Sequence, residues 1–255
     1  MRLLVLDCAA NACAAAVVDD AGDLAALSEP MIRGHAERIA PMIAECLAAA
    51  ATDATALDAV VVTVGPGAFT GIRIGLAAAR GFALAAGIPI LGVSCLEVAA
   101  APFKGLSPVL VALETKRADF YLQAFGRDGA ALTRPAALPV EEIAPYLAAA
   151  RHDGGDWPVT GDGGARLVAA AQAVLPGLHI VQTPETNSAL VAGTIALARI
   201  AASGLPGPDD PGPRPLYLRP PDVNLKPPSS PLTAAASPRA RPAPGRGTGT
   251  PDHGE

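Results

Sequence analysis

Asp7 closes the apolar run Leu3-Leu4-Val5-Leu6 and stands just before a turn. A carboxylate at the carboxyl end of a strand is placed where a metal-bound phosphate can be held. Gly161-Asp162-Gly163-Gly164 follows a second strand-like run and has the composition of a nucleotide-side turn. Arg73 and Arg80 are seven residues apart, so on a helix they share a face that can meet a nucleotide or an acidic partner. Asp7, Arg80, Gly161, Asp162 and Gly163 therefore form one candidate set, and its chemistry would be kinase-like. Two features speak against it. Cys8 and Ala9 follow Asp7 where hydroxyl or amide groups would help bind phosphate, and an Asp in a glycine turn commonly serves the turn itself.

Other chemistries lack a second residue. His35, His152, His179 and His253 are scattered, with no H-E-x-x-H or H-x-x-x-H, so no metal site is expected. His35 reads as a capping or interface residue of the first helix. Ser94, in Gly92-Val93-Ser94-Cys95-Leu96, lacks the second glycine of G-x-S-x-G and reads as the N-cap of a helix containing Glu97. Cys8, Cys13, Cys46 and Cys95 form no C-x-x-C pair and lie in apolar runs, as reduced core residues of a cytoplasmic protein do.

The elements that would position these groups centre on Gly65-Pro66-Gly67-Ala68-Phe69-Thr70-Gly71-Ile72-Arg73-Ile74-Gly75. The strand-like run Asp58-Ala59-Val60-Val61-Val62-Thr63-Val64 precedes it and a helix of small and aliphatic residues follows, from Thr70 to Ala86. Gly65 and Gly67 allow positive φ, Thr70 suits an N-cap, Phe69 and Ile74 fit a hydrophobic staple, and Gly87 with Pro89 ends the helix. Gly71, Gly75 and Ala79 recur every fourth residue, and Ala78, Gly81 and Phe82 widen that face. A glycine inside a helix costs about 1 kcal/mol relative to alanine, which close approach of another helix would offset. The turn has the spacing of neither G-x-x-x-x-G-K-[ST] nor G-x-G-x-x-G. Phosphate binding at the helix N-terminus, plain strand–helix packing and docking of a partner protein all remain as readings of it.

The chain has 255 residues, 51% of them hydrophobic but only 4% aromatic, and a net charge of −5. A core is easily built, and a broad basic face for nucleic acid is excluded. The opening strand meets an acid too early for a signal peptide, and runs such as Ile88–Val93 are too short to span a bilayer. Strands and helices alternate along the chain: a first strand, a hairpin about Asp19-Asp20-Ala21-Gly22, a helix through Ile39, Met42, Ile43 and Cys46, then the glycine turn. Leu4-Val5-Leu6-Asp7 returns 107 residues later as Val111-Ala112-Leu113-Glu114, and Gly22 returns as Gly129. A duplicated β-β-β-α-β-α unit is what a two-lobed actin-like fold contains. Helices are expected over 140–150, 165–174 and 188–202, with strands over 157–160 and 179–182. Fourteen of the 26 prolines fall between Pro206 and Pro251. Leu216-Tyr217-Leu218 can dock as a last extended segment, and disorder is expected beyond about Asn224, where Arg239, Arg241 and Arg246 lie.

Asp58 to Gly92 resembles the signature of the bacterial TsaB (YeaZ-like) subunit of the tRNA threonylcarbamoyladenosine system. The resemblance rests on Gly65-Pro66-Gly67-Ala68-Phe69-Thr70-Gly71-Ile72-Arg73-Ile74-Gly75-Leu76, on Ala79-Arg80-Gly81-Phe82-Ala83-Leu84 and on Ile88-Pro89. Leu6-Asp7, His35 with Pro41, Gly92 to Glu97, and Pro215-Leu216-Tyr217-Leu218-Arg219 are similar too. Cys8 stands where the family usually has Thr or Ser, Glu114 where its second lobe usually shows Asp, and the tail exceeds the family pattern.

The resemblance implies an α/β, two-lobed actin-like (ASKHA) fold with duplicated β-β-β-α-β-α units and a disordered Pro-rich C-terminal tail. The expected divisions are a first lobe over 1–103, a second over 104–219, whose last helix can pack back on the first, and a tail over 220–255. It further implies a non-catalytic dimerisation and scaffold subunit, without cofactor of its own, with ATP and metal at partner subunits. The expected partners are a TsaD-type catalytic subunit, a TsaE-type ATPase and a second copy of the chain, with tRNA reached through the complex and no membrane. That complex transfers threonylcarbamoyl to N6 of adenosine 37 in tRNAs reading codons that begin with A. The interface is expected on the first two helices: His35, Ile39, Met42, Ile43, Gly71, Arg73, Ile74, Gly75, Ala78, Ala79 and Phe82. A stand-alone actin-like kinase or ATPase using Asp7 and Asp162 is the alternative, and a metallopeptidase-like protein a third reading.

Overall fold

The computed structural model describes residues 1–150, 156–182, 184, 186–207 and 210–219. The expected tail over 220–255, and with it His253, lies outside the described residues, as does His152. The chain begins with β1 (Arg2–Asp7), β2 (Ala12–Asp19) and β3 (Gly22–Pro30), an antiparallel meander. Next come α1 (His35–Ala49), β4 (Ala59–Thr63), α2 (Phe69–Ala86), β5 (Ile90–Val93) and α3 (Cys95–Ala100). β4 pairs parallel with β1, and β5 parallel with β4. The second half repeats this with β6 (Val109–Glu114), β7 (Phe120–Phe125), β8 (Ala136–Leu138), α4 (Ile143–Ala148), β9 (Trp157–Thr160), α5 (Gly164–Ala171), β10 (Leu178–Ile180) and α6 (Ser188–Ser203).

One sheet has the order β3-β2-β1-β4-β5, and the other, read from its β8 edge, β8-β7-β6-β9-β10. The same order twice is the duplicated, two-lobed actin-like fold, and β1 and β6 start 107 residues apart as the repeat requires. Alternate side chains of a strand point to opposite faces. Leu4, Leu6, Val60 and Val62 therefore meet Ile39, Met42, Ile72 and Leu76 of α1 and α2 on one face of the first sheet. Leu3, Val5, Ala16 and Val61 meet Ala189, Ala192 and Ala196 of α6 on the other. The last helices are exchanged: Leu96 and Ala100 of α3 pack with Val109, Val111 and Phe125 of the second sheet.

Local signals explain most element ends. Ser94 caps α3, its hydroxyl accepting from Leu96 N (3.1 Å) while Glu97 accepts from Ser94 N (3.0 Å), a capping box. Gly87 ends α2 in the left-handed region, φ 69°. The start of α2 differs from expectation. The helix begins at Phe69 with Ala68 as N-cap and no side-chain cap, so Thr70 is an exposed first-turn residue. The cause is a backbone contact: Ala68 N donates to Ala9 O in the β1–β2 turn (2.8 Å), and this fixes where the chain turns into the helix. The expected helix over 140–150 opens as a 3-10 turn, Val140–Glu142, before α4.

The glycines of this region are explained by that β1–β2 turn. A Cβ on Gly67 would lie 2.2 Å from Ala9 O, and one on Gly71 1.9 Å from Cys8 O. Only Gly65 of the two turn glycines has positive φ (96°), so Gly67 serves close approach and not an unusual dihedral. By length and hydropathy α2 would pass for a bilayer span, yet Ile72, Leu76, Ala79 and Ala83 are buried on the chain's own sheet and Arg73 and Arg80 interrupt its outer face. It is the core helix of a globular lobe. Gly71→Ala is expected to cost about 2 kcal/mol or more in denaturant unfolding, because the obstructing atom is backbone. Gly81→Ala, where the new methyl meets open space, is expected to gain about 0.5–1 kcal/mol in the same assay.

Candidate functional site

The kinase-like set is dispersed into structural roles. Asp7 is 4% exposed. Its carboxylate accepts from Thr63 Oγ1 (2.5 Å) at the end of β4, from Ser188 Oγ (2.5 Å) at the start of α6 and from Ala9 N (2.9 Å). Both oxygens are engaged, and the group ties two strand ends to a helix N-terminus, where negative charge is favoured. Asp162 Oδ1 accepts from Glu114 N (2.9 Å), fastening the glycine turn to β6. A Cβ on Gly161 would meet Ala112 O at 2.3 Å, so this turn is seated on backbone just as the first lobe's is. Arg80 Nη2 donates to Pro213 O (2.9 Å). The structure thus gives Asp7, Arg80, Gly161, Asp162 and Gly163 separate partners within the chain.

Glu114, the counterpart of Asp7 in the repeat, forms a two-pronged pair with Arg166 at 2.9 and 2.7 Å. The guanidinium lies over the Phe120 ring, 3.8 Å from its centroid. The Arg166 hydrogen bonds hold the Glu114 carboxyl below the usual carboxylate range.

No group of three or more metal-ligating side chains occurs among the described residues. His35 is the first residue of α1, behind Gly34 at φ 93°; it is buried, and its Nε2 has no hydrogen-bond partner among the described residues. It neither caps the helix nor faces outward. Cys8 and Cys13 lie 3.9 Å apart, sulfur to sulfur, and the contact with Cys13 together with burial pushes the Cys8 thiol up. Burial pushes Cys46 and Cys95 up as well. None of these three is a ready thiolate at neutral pH.

What remains is a surface, the outer side of α1 and α2. Here the expected interface is corrected in part. Ile39, Met42, Ile43 and Ala79 are buried core residues, and Gly71 and Gly75 face Cys8 and Val62 of the chain itself. A small-residue stripe permits close approach but does not say of what, and here it is of the β1–β2 turn. His35 goes with the buried group. Ile74, Ala78 and Phe82 are half-buried and Arg73 is exposed. The outward side of α1 is instead Ala36, Ala40, Ala44 and Ala48, and that of α2 Ala77, Gly81, Leu84 and Ala85. Leu84 is 85% exposed. The four-residue spacing on α1 makes one flat, side-chain-poor ridge. The signal is in the sequence: alanine recurs every fourth residue of α1, and Ala77 and Gly81 lie two positions past Gly75 and Ala79, on the opposite side of α2.

At one end of this surface Arg73 lies over the Phe69 ring at 3.7 Å and donates from Nε to Tyr217 Oη (2.9 Å). The two rings are 5.1 Å apart. Phe69 and Tyr217 are both a little over 40% exposed.

A family model described as TsaD, tRNA N6-adenosine threonylcarbamoyltransferase, matches residues 29–153. The tRNA threonylcarbamoyladenosine biosynthesis protein TsaB of Escherichia coli is 37% identical over 131 residues, which is 50% of this chain and 56% of that protein. An uncharacterized protein of Mycobacterium tuberculosis is 32% identical over 225 residues, 87% of this chain and 93% of its own length. The solved structure of YeaZ from Pseudomonas aeruginosa superposes with TM-score 0.64 at 28% identity, covering 81% of this chain and 98% of that one. The chain belongs to the TsaB (YeaZ-like) family. A second Pseudomonas aeruginosa structure, of an uncharacterized protein with similarity to peptidase YeaZ, superposes on this TsaB-family chain with TM-score 0.68, covering 86% of it and 99% of that protein. The TsaB match to the Escherichia coli protein thus spans a little over half of that relative, whereas the structural likeness runs through both lobes.

Two outcomes are expected. Asp7→Ala should destabilise the fold by about 3 kcal/mol in chemical denaturation, because hydrogen bonds to a charged group are lost and two hydroxyls are left unpaired. The Glu114 carboxyl is depressed in the folded state, so the stability it lends is present at neutral pH and is lost as pH falls from about 5 through its folded value. Arg166→Gln should therefore show a shallower loss of stability on acidification than the parent, measured as unfolding free energy between about pH 7 and pH 3.

Proposed function

We propose that this chain is a non-catalytic subunit of an assembly that forms threonylcarbamoyladenosine in tRNA, and that it works by presenting the outer side of α1 and α2 to a partner of the TsaD type. The observation that carries this reading is the alanine ridge of α1 beside Ala77, Gly81 and the exposed Leu84 of α2. Such a surface loses little side-chain entropy on docking and lets a second pair of helices approach closely. Asp7, Arg80 and Asp162 are meanwhile hydrogen-bonded within the chain. The TsaD-like family match and the TsaB relatives support the same reading.

In this account the partner carries out threonylcarbamoyl transfer to N6 of adenosine 37 in tRNAs reading codons that begin with A. The TsaB-family chain completes the partner's surface. A TsaE-type ATPase joins the assembly, ATP and metal are held by the partner subunits, tRNA is met through the complex, and the same ridge can pair two copies of this chain. The site of action is the cytoplasm.

The test is capture of the TsaD-type protein from the same genome by the tagged full chain. Ala77→Arg and Gly81→Arg lie on the outer side of α2 and leave the core untouched. Each is expected to weaken capture at least tenfold with unchanged unfolding behaviour. Gly75→Arg, whose side chain points at Cys8 and Val62, is expected to lower stability itself. Undiminished capture by both outer-side variants would defeat the proposal. Tight Mg-ATP binding with turnover by the isolated chain, followed by calorimetry, would favour the alternative of a stand-alone actin-like ATPase.

A further inference from the structure

The segment from Pro213 to Arg219 is extended and irregular, but each part of it is seated. Leu216 N donates to Val64 O (2.8 Å), just past the carboxyl end of β4. A Cβ on Gly92 would lie 2.7 Å from Pro213 Cβ, so the seat in β5 is open only because residue 92 is glycine. Arg80 holds the Pro213 carbonyl and Arg73 the Tyr217 hydroxyl, both from α2. All of these contacts are with the first lobe. Beyond them, Leu218 packs on the cluster of Leu96, Phe103, Val109, Val111 and Phe125, whose strand residues belong to the second sheet. Arg219 Nε then reaches Asp119 Oδ2 (3.2 Å), next to the start of β7, and Thr115 Oγ1 donates to Asp119 Oδ1 (2.8 Å).

We infer that Pro213–Arg219 is a clamp that locks the two lobes at one angle. Seven extended residues reach about 24 Å, enough to cross from the strand ends of one lobe to the β6–β7 turn of the other. The first-lobe grip is polar and backbone-borne, and the second-lobe grip is a half-buried leucine backed by an ion pair. Lobe-to-lobe hinge motion is the ordinary mode of two-lobed proteins, and it requires the elements bridging the crevice to yield. Here the bridge is bonded at both ends. It also takes the place beyond the carboxyl end of β4 where folds with parallel strands commonly hold a ligand. This goes beyond a role in partner docking and stands without it, since it concerns the chain by itself.

The test is a distance measurement across the lobes on the full chain. Spin labels at Ala48→Cys and Ala130→Cys, both exposed positions, report the first and second lobes by pulsed electron resonance. The parent is expected to give one narrow distance distribution. Leu218→Ser combined with Arg219→Ala is expected to broaden it at least twofold, and deuterium uptake at 115–119 should rise about tenfold while β1 and β4 stay protected. If the double variant does not fold, Arg219→Ala alone, at a half-exposed side chain, is expected to give a smaller broadening and the same rise at 115–119. An unchanged distribution and unchanged exchange at 115–119 in the folded variant would overturn the clamp. So would a parent distribution that is already broad.

Discussion

The contact on which the first lobe depends is backbone against backbone: the carbonyls of Cys8 and Ala9 pressed to the start of α2 at Gly67 and Gly71. No other residue type leaves room there. From this one seat follow the position of the helix start, the direction of its small face and the orientation of its outer side. The carboxylate of Asp7, one residue earlier, extends the same junction to β4 and α6. The region is a knot of strand ends held by hydrogen bonds at low exposure, which explains why its conspicuous polar residues are already satisfied.

Much of the architecture was legible because it is periodic. The 107-residue repeat predicts a second copy of the meander, and β6 and β7 appear where it puts them. The capping box at Ser94 and the glycine end of α2 are local signals that tertiary structure does not override. β8 is the third strand of that second meander, but Ala136–Leu138 is three residues long and carries no β-branched side chain, so its bounds were not legible. Thr70 has the residue type of a cap, but the first turn of α2 is fixed by Ala9, about sixty residues away in sequence.

The site was less legible for a related reason. A four-residue spacing of glycine and alanine shows that something comes close, and the identity of that neighbour is long-range information. The same holds for the two arginines of α2, whose partners Pro213 and Tyr217 lie more than 130 residues further along. Asp7 and Asp162 have the residue type and the position that phosphate chemistry uses. Only the packing shows that one is enclosed and the other spent on a turn.

The two halves share strand order but not helix length. α1 and α2 have 15 and 18 residues, whereas their counterparts α4 and α5 have 6 and 8. Duplication alone would have left two equivalent helical flanks, and a subunit with two such flanks can add neighbours without end, as open filaments do. Among the described residues the second flank has only short helices, so one long-helix flank is left. If docking uses that flank alone, as proposed above, the array closes at two partners.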